Sequence, residues 1–111
     1  MGYSRAVRTG NAIAVTGTVG LEADGTFAPS LAAQTTRALT IIRAAIEALG
    51  GRIEDVVRTR IFVIDIARWE EVAEVHGAVF RDIRPATTMV QVARLIDDAA
   101  LIEIEADAVL P

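Results

Sequence analysis

Apolar and polar residues alternate as in strands along five stretches of this chain and recur at helical spacing in two others. Ser4–Arg8 and Ala12–Val19 read as strands joined by Thr9-Gly10-Asn11, a Gly/Asn turn of hairpin type. Glu22–Gly25 is polar and turn-rich. Pro29-Ser30 then opens a long helix with Ser30 as N-cap; Leu31, Leu39, Ile42, Ile46 and Leu49 follow at helical spacing, and Gly50-Gly51 ends it. Val56–Ile64 reads as the next strand. A second helix, roughly Ala67–Phe80, presents Val72, Val75 and Val79 as its buried stripe. Two final strands, Thr87–Arg94 and Leu101–Val109, flank a turn at Asp97-Asp98.

The order β-β-α-β-α-β-β describes a single α+β domain spanning residues 1–111. Two helices cover only one face of such a sheet, so the other face needs a cover from outside the chain. Composition sharpens that need. Hydrophobic residues make up 52% of the chain, mean hydropathy is +0.40, and a domain this small buries only about two-thirds of its unfolded surface. A subunit interface is the expected home of the surplus. No apolar run approaches the roughly 20 residues of a membrane span, and no basic-then-apolar leader opens the chain. With no cysteine, disulfide and thiol chemistry are excluded and a reducing, cytoplasmic setting is expected. Net charge is −4 and all 11 basic residues are arginine. Scattered arginines offer no stripe to a phosphate backbone, so no nucleic-acid partner is expected. The absence of lysine excludes a Schiff-base mechanism.

Strand period places Ile102, Ile104, Ala106 and Ala108 under the helices and Glu103, Glu105 and Asp107 on the opposite face. Three carboxylates on one strand face repel unless cations intervene, and Arg58 and Arg60 are the expected partners. The ladder is either structural, at a subunit interface, or it holds a carboxylate that positions a water or accepts a proton in a cleft. His76, the single histidine, falls beside Val72 and Val79 with no acidic or cysteine partner at metal spacing, so an interface role and no metal are expected. Trp69 is expected in core or interface packing. Gly17 and Gly20, in G-T-V-G, lack the spacing to cradle a phosphate, and no cofactor is expected.

The run I-R-P-A-T-T-M-V-Q-V-A-R-L-I-D-D-A-A-L-I-E-I-E-A-D-A-V, from Ile83 to Val109, resembles the C-terminal signature of the reactive intermediate deaminase (Rid or YjgF) family. That signature reads P-A-R-S-x-V-x-V-x-x-L followed by V-E-I-E-A-x-A. The segment V-R-T-R-I-F-V-I-D, Val57 to Asp65, is similar to the family's V-K-T-x-V-F-V-x-D, and the resemblance runs from Tyr3 to Val109. It implies a chorismate-mutase-like fold, two helices on one face of a sheet, assembled as a homotrimer around the uncovered faces. It further implies a small-molecule metabolite bound in clefts between subunits, with enamine or imine hydrolysis (deamination) as the activity.

The resemblance also assigns residues. Glu103, the first acid of I-E-I-E-A, is the implied water-positioning group. Tyr3 matches a pocket-lining tyrosine that follows Gly-Pro, here Met1-Gly2. Thr16, in V-T-G-T, matches the serine of T-S-G-Q and keeps a hydroxyl for a ligand carboxylate. Members usually have more residues before this tyrosine, so part of the pocket rim is expected to be absent. Where the signature has its arginine, this chain has Thr87. A guanidinium grips a carboxylate at two points and a hydroxyl cannot, a loss of about 1.5–3 kcal/mol. Met89, two residues on, shares Thr87's face and narrows the pocket. Arg84, reaching from the loop before Pro85, is the candidate replacement. His76 stands where many members place an aromatic residue near a neighbour's cleft.

The expectation is therefore a homotrimer with three interfacial clefts lined by Tyr3, Thr16, Thr87, Met89 and Glu103, with His76 from a neighbour. Either it hydrolyses an enamine or imine that does not need the arginine grip, or it binds a small ligand without turnover. The label L-PSP endoribonuclease, also attached to the family, sits poorly with an acidic chain that has one histidine and no basic groove.

Overall fold

The computed structural model describes residues 1–111. Its elements are β1 (Ala6–Thr9), β2 (Ala12–Val19), α1 (Leu31–Ala48), β3 (Val56–Val63), α2 (Trp69–Phe80), β4 (Ala86–Gln91) and β5 (Ile102–Val109), with short 3-10 turns at Ile53–Asp55 and Ile66–Arg68. The β1–β2 hairpin pairs Thr9 with Ala12. Between them Gly10 adopts φ 59°, a left-handed conformation that glycine takes without steric cost. Ser30 caps α1 by accepting from the Ala33 N–H at 3.1 Å. At the other end Arg8 donates from β1 to the Leu49 carbonyl at 2.7 Å, which sets a cation against the negative end of the helix dipole.

The second helix begins later than its apolar stripe suggests. Asp65 accepts from the Ala67 N–H at 3.1 Å, which winds Ile66–Arg68 into a 3-10 turn before α2 starts at Trp69. Trp69 is 50% exposed there, so it is not a core residue of the chain. The fourth strand stops at Gln91 rather than Arg94, because the chain then leaves β3 for the loop that leads to β5.

The five strands form one mixed sheet in the order β1-β2-β5-β3-β4. The β3–β4 pair is parallel and the others are antiparallel. Both helices lie on one face. Ile13, Val15, Ile61, Val63, Ile102 and Ile104 from the strands form a single core with Leu39, Ile42, Ile46, Val72 and Phe80 from the helices. Each such side chain contributes about 1.5–3 kcal/mol through burial. The opposite face carries Arg60, Phe62, Glu103, Glu105 and Asp107, all partly exposed. No helix is long and apolar enough to cross a membrane.

Candidate functional site

The uncovered face has one built irregularity. The register between β2 and β5 jumps between Val15, opposite Ala106, and Thr18, opposite Ile104. Thr16 and Gly17 together therefore stand against Glu105, a bulge that re-aims the side chains around it. A cavity of about 590 Å³ opens at this point, with Tyr3, Arg5, Thr16, Asp97 and Glu103 as its polar wall and Leu21, Phe27 and Ile96 among its apolar residues. A shallower cavity of about 450 Å³ shares Tyr3 and Thr16 and continues along Glu105 and Asp107.

Gly17 makes room for the carboxylate. A β-carbon there would lie 2.8 Å from Glu103 Oε2, so the Glu103 carboxylate rests over bare backbone. Burial pushes its carboxyl above the usual carboxylate range, and the neighbouring Glu105 carboxylate pushes the same way, while the Arg5 guanidinium opposes them. Arg5 itself is anchored. Its carbonyl accepts from the Thr16 N–H at 3.0 Å. Its Nη1 donates to Thr18 Oγ1 at 2.6 Å, and that hydroxyl donates to the Thr16 carbonyl at 2.7 Å. The loop wall is pinned from the core side: buried Gln34 donates to the Ala28 and Ala99 carbonyls and accepts from the Leu101 N–H at 2.8 Å.

Of the residues expected to line one cleft, the structure gathers Tyr3, Thr16 and Glu103. Thr87 and Met89 lie elsewhere. Parallel pairing sets Thr87 beside Thr59 and Met89 beside Ile61, and Thr59 and Ile61 face the helices. Glu103 pairs with Phe62 on the uncovered face. Two strand spacings of about 4.8 Å and the thickness of the sheet separate the two groups, so a single chain cannot bring them into one cleft.

The helix-side group is connected in its own right. Thr87 Oγ1 donates to the Pro85 carbonyl at 3.1 Å and lies 2.8 Å from Thr59 Oγ1, which lies 3.0 Å from His76 Nε2. With the Thr87 proton on Pro85, Thr59 donates to Thr87 and His76 Nε2–H donates to Thr59. His76 also packs on Phe80, ring centroids 4.5 Å apart, and burial holds its imidazole below the usual histidine range. Arg84 belongs to neither group: it is exposed, with φ 59°, in the turn after α2.

The acidic ladder is only partly balanced. Arg60 Nη1 pairs with Glu105 Oε1 at 3.1 Å and Asp107 Oδ2 at 3.2 Å. Arg58 faces Asp107 in register but is exposed and forms no ion pair with it. The expected partnership of these arginines with Glu103 is thus replaced by Arg60 on the other two acids, which leaves Glu103 to the cavity. Reasoning from sequence missed Arg5 and Gly17. The signal for Arg5 was its spacing of two from Tyr3; for Gly17 it was the glycine that V-T-G-T shares with T-S-G-Q, for which the register of β2 supplies the physical reason. Nowhere do three or more His, Cys, Asp or Glu side chains gather to hold a metal ion.

Comparison with known proteins gives a consistent picture. Residues 1–110 match the family described as endoribonuclease L-PSP. The 2-iminobutanoate/2-iminopropanoate deaminase of Escherichia coli (strain K12) is 35% identical over 111 residues, covering 96% of this chain and 86% of that protein. A solved member of the YjgF/YER057c/UK114 family from Mycobacterium tuberculosis is 50% identical with a TM-score of 0.92, covering 98% of this chain and 87% of that one. The E. coli TdcF structure with bound serine is 26% identical with a TM-score of 0.92, covering 98% and 88% respectively.

Proposed function

The chain belongs to the YjgF/RidA family, and from that premise we propose that it is a homotrimer that hydrolyses a small enamine or imine in its clefts, with Glu103 holding the attacking water. The observation that carries this reading is the seat of Glu103: a partly buried carboxyl of raised proton affinity, over Gly17, in the cavity shared with Tyr3, Arg5 and Thr16. A carboxylate so placed takes a proton from water as the oxygen adds to the imine carbon. It returns that proton to the nitrogen to give a carbinolamine, and the carbinol hydroxyl then passes its own proton through the same carboxylate to the nitrogen as the C–N bond breaks, which leaves a carbonyl product and ammonia. The relatives point to the same ligand class, since one is an imine deaminase and another binds serine.

Trimer assembly is part of the proposal. The Thr59–Thr87–His76 group and the Glu103 cavity cannot meet in one chain, and a subunit boundary that sets the β4 edge of one protomer, where Thr87 is exposed, against the uncovered sheet face of its partner would join one protomer's group to its partner's cavity.

A non-catalytic ligand-binding trimer is the second reading. It is favoured by Thr87, whose hydroxyl is occupied within its own chain by Pro85 and Thr59. The endoribonuclease name gains nothing from the site, because Glu103, Glu105 and Asp107 crowd the uncovered face with negative charge and His76 sits on the other side of the sheet.

The test is ammonia release from an imine generated in situ by an amino-acid oxidase. Wild-type protein is expected to accelerate it and Glu103→Gln to lose the acceleration while remaining folded. Equal rates with and without the wild-type protein across a panel of amino acids would reject the catalytic reading.

A further inference from the structure

Resting on the reading that the cavity at the Thr16-Gly17 bulge is the ligand site, we propose that Arg5 is its anion-recognition residue. The ligand is then a small monocarboxylate whose apolar substituent, larger than a methyl group, lies on Leu21, Phe27 and Ile96. The guanidinium is held before any ligand arrives. The backbone of Arg5 is tied to Thr16 at 3.0 Å, and its Nη1 is tied to Thr18 at 2.6 Å. Thr18 is buried, at 1% exposure, and is itself fixed by donating to the Thr16 carbonyl. That chain of bonds uses one of the five N–H donors a guanidinium carries and leaves the rest for a ligand.

No protein carboxylate claims those donors. The ion pairs of the chain use Arg37, Arg60, Arg68 and Arg94. Asp97, which also borders the cavity, turns its Oδ1 to the Ala99 N–H at 2.8 Å in its own loop. Glu103 borders the same cavity without forming an ion pair with Arg5. A carboxylate on Arg5 therefore holds the rest of the ligand in a cavity that also contains Glu103 and the apolar residues Leu21, Phe27 and Ile96. Planar two-point recognition is what a pre-held guanidinium supplies and what Thr87, on the far face of the sheet, does not.

The experiment is a calorimetric or NMR titration of the full-length protein with 4-methylpentanoate and with 4-methylpentanamide, two probes of the same shape that differ in charge. Wild-type protein is expected to prefer the carboxylate by about tenfold or more. Arg5→Gln is expected to bring that preference to near unity, whereas a purely structural role for Arg5 lowers both affinities alike and keeps their ratio. Should Arg5→Gln fail to fold, Arg5→Lys decides. It keeps the charge without the fork, so the preference should fall by about threefold or more, and an unchanged preference overturns the proposal. A wild-type protein that binds neither probe, or both equally, also overturns it. Acetate should bind more weakly than 4-methylpentanoate, and equal affinity removes the apolar part. The readout contains no turnover, so a protein that shows the preference yet hydrolyses no imine rejects the catalytic reading and leaves this one standing.

Discussion

Gly17 and Glu103 cannot both keep their places if Gly17 gains a side chain: the added carbon would sit 2.8 Å from Glu103 Oε2. The clash falls on the tip of a flexible carboxylate and not on backbone, and Gly17 does not have positive φ. Gly17→Ala is therefore expected to cost little stability, about 1 kcal/mol or less, and to displace the carboxylate from the cavity. Hydrolytic acceleration should fall by about tenfold or more with the melting temperature nearly unchanged. Full activity in Gly17→Ala would separate Glu103 from the chemistry.

Glu103 also leaves a mark on stability. Its folded proton affinity is raised above the ordinary value of 4.5, so the folded state holds the proton more tightly than the unfolded one. The stability this confers is present below the unfolded value and is lost as pH rises through the folded one. At pH 7 the ionised group is a burden, and Glu103→Gln should melt higher than wild type, with the gap closing as pH falls below 4.5. A mutant that melts lower at neutral pH would return Glu103 to the structural ladder, where Glu105 and Asp107 now stand with Arg60.

The burial of His76 predicts a dependence of opposite sign. His76 is held below its ordinary value of 6.5, so the neutral ring belongs to the folded state. That contribution is complete above the unfolded value and disappears as pH falls through the folded one. Wild-type melting temperature should decline on acidification below 6.5, and His76→Gln should flatten that part of the profile. Thr59→Val, at a fully buried position, strips a partner from both His76 and Thr87 and is expected to cost about 1–3 kcal/mol. A Thr59→Val protein as stable as wild type would show that the chain of hydroxyls contributes nothing.

Assembly is directly measurable. Light scattering of the purified protein should give a mass about three times the 11.8 kDa of one chain. A monodisperse monomer at micromolar concentration would remove the basis for joining the two half-sites.

Where the determining physics is local, the sequence decided the outcome. Alternation along Leu101–Val109 put Glu103, Glu105 and Asp107 opposite Ile102, Ile104 and Ala106, because successive strand side chains must point to opposite faces. Ser30 and Gly50-Gly51 marked the ends of α1 through backbone groups that need partners nearby. Helix count against strand count likewise implied one uncovered sheet face. The site depended on pairings between distant segments. Whether Thr16 and Gly17 bulge, and so seat Glu103, depends on how β2 registers on a strand that follows it by more than 80 residues. The place of Thr87 depends on its pairing with Thr59 in a parallel neighbour, and the pattern A-T-T-M-V-Q of β4 gives neither of its faces a clear apolar preference. Arg5 became visible only when the hairpin and β5 closed around it. Register and strand order are properties of the whole packed sheet, and they, more than any residue's own preference, set which side chains share a cavity.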